Sequence, residues 1–340
     1  LRVIFTSEPG SDAGGVRRDF FGSLVASIFK TEFGMFSWLP GVRSWWFAPA
    51  EFGAVAGDYF VVGVVLALAL YNHVMVDLHL PRVMYAALLE KTKQAEEGEF
   101  SIIVPLVRRL AALRSVFPEL SSTLSDILRQ AKAFNLSGVM DEDEDPLAGM
   151  CIAFETQVEG HDGTLITHEL VPGGSDTPVT SANARIFVSC YVDWMVDGSV
   201  RAQLAALRRG FQLVIGTSLL SLLDADDLEL LLCGTPTLDF EALEKSVTLV
   251  GWEDDDDDGG DGGGEGTVTL RHFWSVVAAL SVEQQRQLLR FATGCDRAPI
   301  GGLGKLALTI QKDGSDKARL PTASTCHRTL LLPDYGDDIA

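Results

Sequence analysis

Apolar positions along this chain recur mostly at helical spacing, interrupted by a few short alternating runs. Phe20, Leu24 and Ile28 mark the core stripe of a first helix, which follows a short strand and a glycine turn at Gly14 and Gly15. An aromatic-rich stretch, FGMFSWLPGVRSWWFAP, then turns at Pro40. The run Phe60 to Leu70 is apolar throughout, yet only about half the length of a membrane crossing, so it reads as a buried helix. Helical sequence resumes between Leu106 and Gln130, with Leu120, Leu124, Ile127 and Leu128 on one stripe. In MCIAFETQV, Met150, Ile152 and Phe154 alternate with Cys151, Ala153 and Glu155, the period of a strand. VTSANARIFVSCYVDWMV opens another helix carrying Phe187 and Tyr191, and Val200, Leu204, Leu207 and Phe211 share one face of the next. Asp224, with Asp227 three residues on, reads as the N-cap of a further helix.

The pattern then stops. EDDDDDGGDGGGEG, Glu253 to Gly266, holds no apolar residue and cannot bury surface, so it predicts a flexible solvated linker. Its aspartates lack the alternating ligands and terminal glutamate of a calcium loop, and no metal is expected there. Beyond it, Phe273, Val277 and Leu280 face inward from one helix, and Ser281 with Gln284 forms a capping box for another that ends at Gly294. KLALTIQ and TLLL (Thr329 to Leu332) read as strands.

Composition narrows the possible functions. With 340 residues, 47% of them apolar, and six Trp and eighteen Phe, the chain has ample material for two domains and a substantial core. A formal charge of −20 argues against a nucleic-acid partner, although much of it sits in the runs Asp141 to Asp145 and Glu253 to Asp258. No segment suits a membrane. The five cysteines are scattered without a CxxC pair, which fits a reducing intracellular compartment, cytoplasmic or nuclear. The start at Leu1, without methionine or signal segment, reads as part of a longer protein.

The chemistry concentrates in LPTASTCHRTLLLPDY, Leu320 to Tyr335, where Cys326 sits on a polar loop before the strand closed by Pro333. Composition alone would allow an ordinary buried cysteine; the loop context points to an accessible one. Cys233, beside apolar helix, reads as structural. A cysteine hydrolase would need a histidine base and an orienting partner. His327 adjoins Cys326, but neighbours on an extended strand point to opposite faces, which aims it poorly. GGLGK is not a phosphate loop, because Pro299 stands at the first glycine position and Leu306 replaces the hydroxyl residue. The six histidines show neither HExxH nor zinc spacing, and no cofactor is expected.

Together with RAPIGGLGKL (Arg297 to Leu306), the Cys326 stretch resembles the C-terminal lobe of HECT-type ubiquitin-protein ligases. The run DYFVVGVVLALALYNHVMVDLHLP, the aromatic stretch before it, and ELLLCGTPTLDFEALEKS resemble the family's N-lobe, so the likeness covers nearly the whole chain. It implies an α+β bilobal fold: a large, mainly helical N-lobe over 1–250, a hinge at 251–266 and a small α/β C-lobe over 267–340. A subdomain at about 105–195 would grip a ubiquitin-conjugating enzyme through an apolar groove of Leu120, Leu124, Ile127, Ile152, Phe187 and Tyr191; periodicity alone would equally make these plain core. The resemblance further implies that Cys326 accepts ubiquitin from that enzyme as a thioester and passes it to a lysine of a protein substrate. Thr325 would donate to the thioester carbonyl, and Asp19 and Asp77 would orient or deprotonate the lysine; helix-surface charge and loop cap are their plainer readings. Ser324 stands where the family often has histidine, His327 and Arg328 where it prefers phenylalanine and asparagine, and the tail after Tyr335 is short. These departures prompt an alternative, a module that docks the conjugating enzyme without efficient transfer.

Overall fold

The computed structural model describes residues 15–48, 55–90, 105–138, 144–159, 165–252 and 265–336. The opening strand, Asp141 to Asp143 and positions 253–264 of the acidic stretch lie outside the described residues. Helices dominate and three small sheets accompany them, an α+β arrangement. The described residues gather into two compact units. One comprises those between 27 and 68 and between 79 and 226; the other takes those up to 26, from 69 to 78 and from 227 onward.

The first helix, α1 (Gly15–Ile28), buries Phe21, Val25 and Ile28 to 1%, 2% and 7% exposure, so its core stripe is Phe21 and Val25 rather than the expected Phe20 and Leu24. Phe20 and Leu24 flank it, half-buried. The aromatic stretch forms the antiparallel pair β1 (Phe36–Leu39) and β2 (Ser44–Phe47), with Phe36 opposite Phe47. Tyr59, at the start of α2 (Ala56–Tyr71), packs edge-on against Phe36 and donates its hydroxyl to Met35 O at 2.9 Å. Burial, with the Asp58 carboxylate beside it, pushes that phenol up to about 12.

Glycines decide how α2 meets α7 (Arg201–Val214). A Cβ on Gly63 would lie 2.0 Å from Leu207 O, and one on Gly210 would lie 2.0 Å from Phe60 O. The helices therefore touch backbone to backbone, and only glycine permits it. The predicted face of α7 is confirmed: Val200, Leu204, Leu207 and Phe211 are all buried. Between these helices in the chain, α3 (Arg82–Leu89) ends on Arg208, whose guanidinium donates to Ala87 O and pairs with Glu90 at 2.8 Å. That satisfies a helix terminus which would otherwise leave carbonyls without donors.

The sequence from 106 onward is two helices, α4 (Leu106–Arg114) and α5 (Pro118–Ser137), parted where Pro118 enters at the first helical position. The strand expected over MCIAFETQV starts later. Ala148–Met150 is a short 3₁₀ turn and Cys151 is left-handed (φ 53°); only from Glu155 does β3 (Glu155–Glu159) pair with β4 (Leu165–Glu169). Next comes α6 (Ala184–Val196), which supplies Phe187, Val188 and Val192 to one core with α4 and α5. Buried Arg109 ties α4 to α6 by donating to Asp193 and Ser189.

Two helices follow, α8 (Thr217–Leu220) and α9 (Ala225–Cys233); Asp224 accepts from Asp226 N at 2.8 Å, the expected cap. After α10 (Phe240–Glu244) the chain enters β5 (Thr248–Val250), the edge of a four-stranded sheet ordered β5-β6-β8-β7. The remaining strands are β6 (Thr309–Lys312), β7 (Thr322–Ser324) and β8 (Thr329–Leu332). β5, β6 and β8 run parallel, while β7 returns antiparallel to β8. Two helices accompany the sheet, α11 (Glu265–Ala279) and α12 (Val282–Thr293). The capping box at Ser281 forms, and Gly294 closes α12 at φ 80°. Trp252, which precedes the acidic stretch, packs with Ile310, Leu330 and Leu332 and with Leu270 and Phe273, which follow it. The C-terminal sheet and its core thus draw residues from both sides of that stretch.

Candidate functional site

Two sets of predicted residues can be placed, one in each unit. In the first unit the six residues proposed for the groove all belong to one cluster. Leu124, Ile127 and Phe187 are 2%, 6% and 2% exposed, the floor of that cluster, while Leu120, Ile152 and Tyr191 are half-buried at its edge. Phe187 stands edge-on to Phe154 (5.4 Å) and Tyr191 (5.6 Å), geometry that favours aromatic pairs beyond their buried area. Thr156 Oγ1 donates to the Tyr191 hydroxyl at 2.8 Å and holds the ring at the rim. Any partner would thus meet Leu120, Ile152 and Tyr191, with the other three behind them.

Asp145 fastens the same cluster, and sequence reasoning did not single it out within the acidic run Asp141 to Asp145. It is buried, and its carboxylate accepts from Ser181 N (2.7 Å), Ser181 Oγ (2.7 Å) and Leu147 N (2.9 Å). Burial alone would raise its pKa; the hydrogen bonds from Ser181, Leu147 and Ala148 outweigh burial and hold it below the usual carboxylate range.

In the second unit, β7 and β8 form a hairpin in which Ser324 faces Thr329, Ala323 faces Leu330 and Thr322 faces Leu331. The link is Thr325 to Arg328. Thr325–His327 is one 3₁₀ turn, closed by Arg328 N donating to Thr325 O at 3.2 Å. Arg328 itself is left-handed, φ 50° and ψ 47°, an uncommon setting for a residue with a side chain. Its carbonyl accepts from Thr309 N at 2.9 Å, at the head of the neighbouring strand. From below, Gly294 ends α12 so close that a Cβ there would reach Thr325 Cβ at 3.7 Å. The backbone of Cys326 lies in the middle of this braced turn; its thiol lies outside what the structure describes.

The flanking side chains are defined. Thr325 is exposed, and Ser324 Oγ and His327 Nδ1 are 3.1 Å apart, closing a bridge over the cysteine from residue 324 to residue 327. Arg328 is half-buried; burial lowers its pKa, and so does the charge of Arg18 on α1. Asp19 is an exposed carboxylate on α1. Asp77 pairs with Arg290 of α12 at 3.1 Å. The other cysteines differ in reach: Cys151 is exposed and Cys233 buried. The Cys295 thiol is pushed up to about 11 by burial, so it is a poor nucleophile near neutral pH.

The Ser324–His327 pair also escaped sequence reasoning, since it exists only once the chain turns. A serine three residues before a histidine was the available signal, because a 3₁₀ turn brings i and i+3 together.

Comparison with known proteins bears on the whole chain. A family model described as HECT-domain (ubiquitin-transferase) matches residues 22–338. Probable E3 ubiquitin-protein ligase HECTD2 of Mus musculus is 32% identical over 98% of this chain and 40% of its own length. Probable E3 ubiquitin-protein ligase HERC4 of Rattus norvegicus is 31% identical over 98% of this chain and 28% of its own. Probable E3 ubiquitin-protein ligase HUL4 of Eremothecium gossypii is 27% identical over 99% of this chain and 37% of its own. The chain thus spans well under half the length of these relatives. With a family match across nearly all its residues, the chain belongs to the HECT ubiquitin-transferase family.

Proposed function

We propose that this chain is the catalytic part of a ubiquitin-protein ligase that takes ubiquitin from a conjugating enzyme as a thioester on Cys326 and delivers it to a lysine of a protein substrate. The braced hairpin turn at Thr325–His327 carries the reading, because it presents one cysteine between two paired strands at the end of a sheet. Thiol chemistry fits the need. The Cys326 sulfur, once deprotonated, attacks the donor thioester carbonyl; the conjugating enzyme's cysteine leaves as thiolate, and one thioester replaces another at little net energy. A substrate amine then attacks the new thioester, an amide forms, and the Cys326 sulfur is released.

Since bond energies are nearly balanced in the first exchange, the protein contributes chiefly position, worth roughly 7–11 kcal/mol in well-oriented systems. The fixed backbone of the turn supplies that order. Thr325, exposed and adjacent to the cysteine in the chain, is the proposed donor to the thioester carbonyl. Asp19 and Asp77 remain the proposed acidic residues for the incoming lysine, and Leu120, Ile152 and Tyr191 the proposed face for the conjugating enzyme.

A second reading is a module that docks the conjugating enzyme without passing ubiquitin on. The departures from the family pattern at Ser324 and His327 favour it. One assay decides. The chain is incubated with activating enzyme, conjugating enzyme and ubiquitin, and run with and without reductant. A reductant-sensitive adduct that vanishes in Cys326→Ala is the expected result. Binding of the conjugating enzyme with no adduct in the wild-type chain supports the second reading.

A further inference from the structure

Sequence reasoning set His327 aside because an extended backbone would turn it away from its neighbour. The backbone is not extended there. Thr325–His327 is a 3₁₀ turn, in which successive residues are about 120° apart rather than about 180°. The imidazole is also tethered, with Nδ1 3.1 Å from Ser324 Oγ. It is solvent-exposed, so an incoming amine can reach it. The bridge leaves the opposite ring nitrogen, Nε2, as the one available to a substrate.

We infer that His327, held by Ser324, is the proton acceptor for the lysine that attacks the Cys326 thioester. This rests on the ubiquitin-transfer reading above and adds to it the group that readies the nucleophile. A lysine arrives as an ammonium and must lose a proton before its nitrogen can attack. Proton transfer requires the tautomer in which His327 Nδ1–H donates to Ser324 Oγ; the lone pair then stands on Nε2 and takes that proton. The neutral nitrogen then bonds to the acyl carbon as the carbon–sulfur bond breaks, and the electron pair of that bond goes to the Cys326 sulfur. The second proton on the nitrogen ends on the sulfur as the thiol reforms, and the imidazolium returns the first to solvent. No oxidant, metal or further reactant is needed.

Ser324 is a positioning residue in this scheme, and His327 the catalytic one.

The test is single-turnover discharge. The full chain is charged with ubiquitin, charging is quenched, and loss of the adduct to free lysine is followed, normalised to the charged fraction. General base catalysis contributes roughly 10²–10⁴-fold, so His327→Ala should discharge at least about a hundredfold more slowly, and millimolar imidazole should restore part of the rate. His327→Gln keeps a hydrogen bond to Ser324 but cannot take the proton, and should stay slow. Ser324→Thr should retain most of the rate, and Ser324→Ala should lose a measurable part. Discharge by His327→Ala within about twofold of wild type overturns the inference while leaving transfer through Cys326 intact. Slow discharge that imidazole does not restore, or full activity in His327→Gln, also overturns it, showing a structural role. Failure of the wild-type chain to form any adduct sinks the transfer reading itself, and the inference with it.

Discussion

Replacing Phe187 with alanine separates core from contact surface. The ring is 2% exposed, lies in one buried cluster with Leu124 and Ile127, and stands edge-on to Phe154 and Tyr191. Truncating such a ring costs about 3–5 kcal/mol, transfer and cavity terms together. Against a total stability of about 5–15 kcal/mol, the variant would fold but with little margin. With a urea slope of about 1–3 kcal/mol/M, the midpoint should fall by between about 1 and 5 M. Tyr191→Phe is the contrasting change: it removes only the hydroxyl that Thr156 donates to, and should cost about 0.5–1.5 kcal/mol. Leu120→Ala, at the half-buried edge, should move the midpoint least and weaken ubiquitin charging most. Urea unfolding followed by tryptophan fluorescence, with the charging gel on the same preparations, checks all three. A Phe187→Ala variant whose midpoint is unchanged while charging is lost would place the ring at the partner's surface and refute its assignment to the core.

Other outcomes follow from single observations. Gly210→Ala should cost about 3 kcal/mol or more, visible as a lowered melting temperature or loss of soluble protein, because its Cβ would sit 2.0 Å from Phe60 O. Asp145→Asn should cost about 1–3 kcal/mol, since an amide oxygen and NH₂ cannot accept from Ser181 N, Ser181 Oγ and Leu147 N together. Because the folded Asp145 pKa is depressed, its contribution is complete above the unfolded carboxylate value, near 3.9, and is lost as pH falls through the folded one. The wild-type unfolding curve should therefore weaken below about pH 4 by more than that of Asp145→Asn. Arg328→Asn should raise stability by up to about 1 kcal/mol in thermal melts, since asparagine tolerates the left-handed backbone better; a lower melting temperature would mean that guanidinium packing outweighs backbone strain.

Some of this was legible in the residues alone. The face of α7, the capping box at Ser281 and the strand Thr329–Leu332 each carry a regular local pattern of residues, and that pattern suffices for those. The six residues proposed for the groove fall in one cluster, yet periodicity could not say which would be buried and which half-buried. β5 and β7 are three residues each, too short for alternation to register. The phase of α1 slipped by one residue because adjacent phenylalanines, Phe20 and Phe21, fit the stripe equally well on hydropathy. Asp145 could not be told from its acidic neighbours in the string, because its partner, Ser181, is 36 residues away. Composition drew a lobe boundary at the acidic stretch, where the charge changes; the packing of Trp252 with Phe273 across that stretch obeys shape and apolar area instead.

The turn around Cys326 shows why a connecting turn is harder to read than a core helix. Its conformation is imposed by three neighbours far apart in sequence: the β7–β8 register, the Thr309 amide that binds Arg328 O, and the capped end of α12 beneath Thr325. None of these is visible in TASTCHRT as a string, and the local choice, a strand, places His327 on the wrong side. Once the turn is imposed, a serine and a histidine that have no regular relation in an extended chain become a hydrogen-bonded pair straddling the cysteine. Thioester exchange between two cysteines needs little more than such order. Acyl transfer to an ammonium needs order and somewhere for a proton to go, and the same bracing that fixes the backbone of residue 326 also fixes the imidazole able to take it.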